Sequence, residues 1–562
     1  MTRPGGSKPV PITLILTSVK RTLSSLGRGF LFKLNGWTLS ALFLGLLVFI
    51  PIAAVLWHLT NPSENWKHLE DTVLTNYLKD SLILVCGTVF LSVLAGVSCA
   101  WLVSCCEFPG RKVFEWVLVL PLAVPTFIAA YAYFDLLAMI EEEMIPLIIW
   151  ARTNSPEDLD TVIFLLDSLK YPVTILVMAS VLYPYVYLLA RASFSRQGSQ
   201  LIEAARTLGY SPRSIFFRVA LPLARPAIVA GASLVVMETL NDYGAVKHFG
   251  VSTFTNGIFR TWFAMNDLPG ALRLAALLML FILFLLVVER ILRSGAKFEE
   301  KGNAARTFQR YRLGPIGSTL AILCCLLPLT SGFFIPLGRL SLWASESYLK
   351  ILDSSFFELI ANSLGLAAAS SILIVLFATF LAFAERYFKN PTVRASNRLA
   401  ILGYSVPGAV VAMAIILIAS PLNLSLGILL TGSLFTLLFA YLIRFLAVAW
   451  QPIDSGMEKN CDRLNEASQS LKAKPLISLL KINLPLIRPS LWAAGLLVFV
   501  DTMKELPLTL ILRPFNFETL STRTYDLTSQ AQIPESSVPA ICIILVVVFP
   551  VIWLNRKMEA RK

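Results

Sequence analysis

The chain has 562 residues, of which 56% are hydrophobic and 15% charged, with a formal net charge of +13. A mean hydropathy of +0.70 excludes an ordinary water-soluble domain, which needs far more polar sequence to cover its core. The basic excess does not point to nucleic acid either. Lys and Arg gather in alternate loops between apolar runs, the pattern of a membrane protein whose basic loops stay in the cytoplasm.

In chain order, residues 1–35 carry Arg3, Lys8, Lys20, Arg21, Arg28 and Lys33. This segment is too long and polar for a cleavable signal peptide and is expected in the cytoplasm. Apolar runs of the ~20 residues that a membrane-crossing helix requires then recur to the end. Six are predicted at about 36–59, 80–105, 113–139, 171–194, from 226 onward, and 270–291. The third contains Pro121 and Pro125; proline inside a membrane helix frees carbonyls and kinks it, which only neighbours or a cavity can compensate. The acidic stretch from Glu141 to Asp167 reads as an external loop. A basic linker, 293–312, separates this first repeat (36–292) from a second (313–555). The second repeat has predicted spans at about 313–337, 360–385, 399–420, 422–450, 489–506 and 534–554, and residues 556–562 form a tail. The fold class is therefore all-α and polytopic, with about twelve transmembrane helices, six per repeat, and both termini inside. Six is even, so the repeats run parallel across the bilayer.

One polar stretch occurs twice. EAARTLGYSPRSIFFRVALPLARP, from Glu203 to Pro226, returns as EASQSLKAKPLISLLKINLPLIRP, from Glu466 to Pro489, at a constant offset of 263. Each copy reads as a basic helix–turn–helix followed at once by an apolar helix, within predicted cytoplasmic loops 199–226 and 462–489. This pattern resembles the coupling loop of permeases in binding-protein-dependent ABC importers: Glu203, Ala204 and Ala205, with Gly209 six residues after the Glu and Pro222 near the end. The second copy keeps Glu466, Ala467 and Pro485 but has Ser468 and Lys472 for the second Ala and the Gly. Its turn is therefore expected to be shaped differently.

A second pair of strings follows the hairpins: METLNDYGAVKHFGVSTFTNGIFRTW, Met237 to Trp262, and VDTMKELPLTLILRPFNFETLSTRTY, Val500 to Tyr525. At the same offset Glu238 pairs with Asp501, Asn241 with Lys504, Asp242 with Glu505, and Arg260-Thr261 with Arg523-Thr524. Acids four apart share one helix face. Counted from a cytoplasmic start near Pro226, they stand roughly 18 and 24 Å up the helix. Carboxylates at that depth need a watery path or a paired cation. One reading is a ring of four acids at the external mouth of a translocation path for a hard cation; the other is structural neutralisation by Lys504, Arg260 and Arg523.

These strings, with the two hairpins, look like the fused ferric-iron ABC importer permeases, over about residues 36–555. The resemblance implies a type I importer permease fold in the inner (plasma) membrane, two copies of a cytoplasmic ABC ATPase docked on the hairpins, and an external ferric-binding protein. It implies that ATP and Mg are used by the partner, and no GxxxxGK[ST] string occurs in this chain. No metal site is assigned: His58, His68 and His248 are scattered, and the eight cysteines lack CxxC spacing and read as packing residues. Permeases for thiamine, polyamine, sulfate or phosphonate share the hairpin signature. An ion-coupled secondary transporter has no use for two matched cytoplasmic hairpins, and a membrane enzyme would need a catalytic cluster, such as HExxH, that the sequence lacks.

Overall fold

The computed structural model describes residues 35–60, 65–154, 156–196, 198–293, 310–426 and 430–559. The expected cytoplasmic N-terminal segment, most of the linker and the end of the tail lie outside them. Ten helices are long and apolar enough to cross a membrane, and two further pairs are bent at a break: Arg111–Ala123 with Thr126–Met139 at 88°, and Pro391–Ser405 with Gly408–Asn423 at 116°. Each pair taken as one span gives twelve, six on either side of the linker. The predicted kink at Pro125 is thus a full break, and Pro407 makes its counterpart.

Two expectations change. The acidic stretch between Glu141 and Asp167 is not an open loop, because the helices Thr126–Asn154 and Pro156–Arg196 run through it. The tenth span is Leu434–Glu458 rather than 422–450. Leu422 still belongs to the preceding helix, Gly408–Leu426, and Asn423 near its end accepts N–H bonds from Leu430 (2.7 Å) and Thr431 (3.4 Å).

Contacts sort the chain into two compact units. The smaller takes its described residues from Met1–Pro51, Ser371–Tyr404 and Phe445–Val498, and the larger from Ile52–Ser370, Ser405–Arg444 and Phe499–Lys562. Neither unit is a sequence repeat, because first helices pack outside their own half. Within the smaller unit, Trp37 of the helix Gly36–Trp57 stacks on Phe380 (centroids 5.2 Å apart) and meets Phe383 edge-on at 5.5 Å, both second-repeat residues. Within the larger unit, the first helix of the second repeat, Pro315–Leu329 continued by Ile335–Ile351, lies against the first repeat. Tyr133 donates to the Ser331 carbonyl at 2.7 Å, and Arg339 donates to Asp135 at 2.7 Å. The same helix also keeps its own half: Ser347 donates to the Pro534 carbonyl at 2.7 Å.

After each hairpin the chain repeats itself element by element at the offset read from sequence. Pro212–Ile215, a wide π turn at Phe216–Ala220 and Leu221–Asn241 answer to Pro475–Ser478, a π turn at Leu479–Asn483 and Leu484–Lys504. Together they make two 30-residue helices, Pro212–Asn241 and Pro475–Lys504.

Candidate functional site: two hairpins and a meeting of broken helices

The first hairpin is the helix Gly198–Thr207, a tight turn and the short helix from Pro212. The turn is closed by N–H bonds from Tyr210 to the Ala205 carbonyl (3.2 Å) and from Gly209 to that of Arg206 (3.0 Å), the doubly bonded αL ending of a helix. Gly209 sits at φ +80°, where a side chain is disfavoured. The second hairpin, Asp462–Ser470 and onward, closes in the same way. Ala473 donates to the Ser468 carbonyl (3.1 Å) and Lys472 to that of Gln469 (3.0 Å). Lys472 takes φ +53°. The expectation of a differently shaped second turn is therefore corrected: the bonds outweigh the ~1 kcal/mol that a β-carbon costs in that region, and the lysine adopts the glycine's conformation.

The Ser468 departure also has a reason. Ala205 and Ile215 are both buried in the first hairpin, whereas the corresponding Ser468 and Ser478 are buried and bonded to each other at 2.7 Å. Beside them Asn465 and Asn483 exchange amide bonds at 2.8 and 3.3 Å. One hairpin closes on an apolar seam and the other on a polar one, with both partners changed together as a buried hydroxyl requires. Ala204, Ala467, Pro222 and Pro485 are exposed on both, and Glu203 is half-buried. Lys389 beside Glu466, at 2.7 Å, holds that carboxyl below its usual range. The contact is therefore present at neutral pH and is lost as pH falls through the lowered value.

The other ends of the two long helices meet the two breaks. Asp242 ends the first; its carboxylate accepts the Ala245 N–H at 2.8 Å, starting the short helix Gly244–His248, and takes a hydrogen bond from Thr126, the first residue beyond Pro125. Glu505, its repeat partner, accepts the Leu508 N–H at 3.2 Å, heading Pro507–Leu512. It packs where Gly408 follows the second break: a β-carbon on Gly408 would come within 2.5 Å of the Glu505 oxygen. Contacts also cross between repeats. Asn241 accepts the Gly408 N–H at 2.7 Å, and Lys504 donates to the Leu122 carbonyl, just before the first break, at 3.1 Å.

Arg444 completes this centre, and sequence reasoning misses it. It is buried, donates to the Val406 carbonyl at 2.6 Å and pairs with Glu505 at 3.4 Å. The available signal is an arginine in the middle of an apolar span, which is rare without a partner. Counted back at the hairpin's offset of 263, Val181 stands where Arg444 does, so the first repeat offers no arginine there to Asp242. Of the neutralising partners expected from sequence, Lys504 lies 3.9 Å from Asp501, while Arg523 pairs with Glu518 at 3.6 Å.

Asp242 and Glu505 are thus buried and occupied by the backbone, while Glu238 and Asp501, on the two long helices, remain partly exposed. Among the described residues no three His, Cys, Asp or Glu side chains converge as metal ligands. The pairing of Arg260 with Arg523 does not hold in three dimensions. Thr253 and Thr519 are the matching N-caps, and the residues after them, Phe254 and Leu520, donate to the matching hydroxyls Ser81 (3.2 Å) and Ser363 (2.7 Å). The offset there is 266, because the second loop is three residues longer.

A polar cavity of about 320 Å³ lies elsewhere in the larger unit, between Lys350, Asp353, Glu358, Glu518 and Arg523. Its charges largely serve each other and the backbone: Arg523 pairs with Glu518, and the Ser355 hydroxyl with the Phe356 N–H holds the Asp353 carboxyl below its usual range.

Two six-span repeats, a matched polar hairpin in each, and long helices that end on broken spans define a transport permease. The family described as binding-protein-dependent transport system inner membrane component matches residues 92–296 and 374–562. The chain belongs to that family and is a multi-pass permease subunit of an ABC importer. It is 26% identical over 488 residues to the Fe(3+)-transport system permease protein FbpB 2 of Haemophilus influenzae, spanning 84% of this chain and 88% of that one. It is 26% identical over 219 residues to the sulfate transport system permease protein CysT of Escherichia coli, covering 38% and 74% of the two chains. It is 27% identical over 214 residues to the molybdenum transport system permease protein ModB of H. influenzae, covering 38% and 88%.

Two outcomes follow from the geometry. Arg444→Met strands a buried carboxylate and should lower stability by about 3–5 kcal/mol, with most of it recovered by adding Glu505→Leu; thermal unfolding in detergent of the two variants reads this. Gly209→Ala should destabilise the first turn by about 1 kcal/mol, and Lys472→Gly should stabilise the second by a similar amount. Amide exchange at 205–210 and 468–473 measures both.

Proposed function

We propose that the chain is the permease of a ferric-iron importer of the inner membrane, with both termini cytoplasmic. An external ferric-binding protein delivers the cation, and two copies of a cytoplasmic ATPase, the users of ATP and Mg, grip the hairpins. On this reading Glu203, Ala204, Ala205, Gly209 and Pro222 form one docking face, and Glu466, Ala467, Ser468, Lys472 and Pro485 the other. Closure of the ATPases rocks the long helices, opens the external mouth and admits the cation; hydrolysis resets the inward-facing state.

The observation that carries the cargo assignment is the distribution of charge where broken helices meet. A helix N-terminus is the usual cradle for an oxyanion, yet at the two half-helix starts here the Thr126 hydroxyl already donates to Asp242, the Gly408 N–H to Asn241, and the Glu505 carboxylate packs against Gly408. Arg444 is spent on Glu505 and Val406. What remains partly exposed on the exit helices is a carboxylate from each repeat, Glu238 and Asp501, beside Lys504. That arrangement suits a hard cation with oxygen ligands. The fused two-repeat length shared with the iron permease of H. influenzae supports the same choice.

The test is uptake into proteoliposomes that hold the permease with its ATPase, driven by the loaded binding protein. Ferric iron should accumulate, and molybdate and sulfate should not. Glu238→Gln with Asp501→Asn should cut iron uptake at least about tenfold while ATPase association stays intact. Oxyanion uptake, or iron uptake unchanged in the double variant, sinks the assignment. Glu203→Ala should instead weaken ATPase association with the protein still inserted.

A further inference from the structure

We infer that the end of the segment joining the two repeats is a working part of the first hairpin, with Tyr311 as its positioning residue; the functional weight of this rests on that hairpin being the ATPase handle. The argument starts from the second hairpin, which is braced by the turn after the helix Ser354–Phe388. Gln469 donates to the Tyr387 carbonyl at 2.6 Å, the Tyr387 hydroxyl donates to the Ala473 carbonyl at 3.4 Å, and Lys389 pairs with Glu466. The ring of Tyr387 stacks on Phe383 at 4.9 Å.

The offsets that relate the repeats, 282 before the hairpin and 263 through it, place Cys105 where Tyr387 stands, Glu107 where Lys389 stands and Arg206 where Gln469 stands. The first repeat therefore lacks both the aromatic and the lysine of this brace. The joining segment supplies a ring instead. Tyr311–Arg312 pairs in parallel with Cys106–Glu107 as a two-residue ladder, and Leu313 adds an N–H bond to the Glu107 carbonyl at 3.3 Å. Arg310 donates to the Ser104 carbonyl at 3.3 Å and lies 3.6 Å from the Glu107 carboxylate.

So anchored, the Tyr311 ring lies 4.6 Å from the Arg206 guanidinium, in the last turn of the hairpin helix. Its centroid is 6.5 Å from that of Trp101, the residue matching Phe383. Trp101 in turn meets Phe194 at 5.6 Å and Phe216 at 5.0 Å, on the chain entering and leaving the hairpin. The joining segment thus does for the first hairpin what the preceding turn does for the second. It also links that hairpin to the second repeat's first helix, which begins at Pro315.

The test is hydrogen exchange on the intact chain in nanodiscs without ATPase, so that its result is independent of docking. Tyr311→Ala should speed exchange at 203–210 by about 2–5-fold, the factor expected from losing a cation–ring contact at an accessible site. Arg206→Gln should do the same, Tyr311→Phe should match the native chain, and 466–473 should be unaffected throughout. Tyr387→Ala should give the mirror result. Unchanged exchange at 203–210 in Tyr311→Ala overturns the inference, as does a rise spread over all spans with Arg206→Gln silent. The docking reading fails separately, if cysteines placed at 204 and 467 do not cross-link to the ATPase in the assembled native transporter.

Discussion

A helix that breaks inside a membrane exposes backbone groups where there is no water to take them, and each such group left unmet costs several kcal/mol. The two breaks, at Pro125 and Pro407, and the side chains sent to meet them govern the centre of this protein. Thr126 holds Asp242, Gly408 gives its N–H to Asn241, and the carbonyls of Leu122 and Val406 receive Lys504 and Arg444. Asp242 and Glu505 then use their remaining oxygens to begin the next short helices, at Ala245 and Leu508. The acids are where they are because a long helix must stop there and another must start.

The backbone obeys the two-fold relation closely, while the chemistry that satisfies it does not. The π turns, the αL hairpin endings and the caps at Thr253 and Thr519 recur in both halves. The side chains differ in compensated sets: Ala205 and Ile215 against Ser468 and Ser478, Asn241 against Lys504, Val181 against Arg444. In the hairpin the second half takes the more polar solution with both partners changed, whereas Arg444 answers Glu505, an acid that the first half also has as Asp242. A single substitution toward the other half's sequence would leave a buried group unpaired, so the repeats can drift only by paired changes.

Much of this is legible in the amino-acid sequence. Twelve apolar stretches, their pairing by repeat and the hairpins follow from hydropathy and a constant offset, because length and periodicity alone set them. The breaks are visible as prolines, but not what fills them, since Asn241 and Gly408 are far apart along the chain and no local pattern links them. Lys472 misleads because a non-glycine residue in the left-handed region is locally unfavourable, and only the surrounding turn bonds reverse the balance. The slip from 263 to 266 is hidden by a chance Arg-Thr match at 260 and 523. Shared hydroxyl partners, Ser81 and Ser363, reveal the true register, and those are tertiary contacts.

The two long helices join these findings into one mechanical element. Thirty residues at ~1.5 Å each make a rod of about 45 Å from hairpin to break, stiffened along its length by main-chain bonds. Its far end is bonded to the opposite repeat: Asn241 to Gly408, and Lys504 to Leu122. A tilt of either rod large enough to move its hairpin must therefore carry the other repeat's broken helix with it or strip that helix of its cap. The second option leaves the Gly408 N–H or the Leu122 carbonyl without its partner. The first is cheaper, so displacement of one hairpin is geometrically a displacement of the opposite break. These two hydrogen bonds add a specific, directional link between the halves to the apolar packing that the repeats already share.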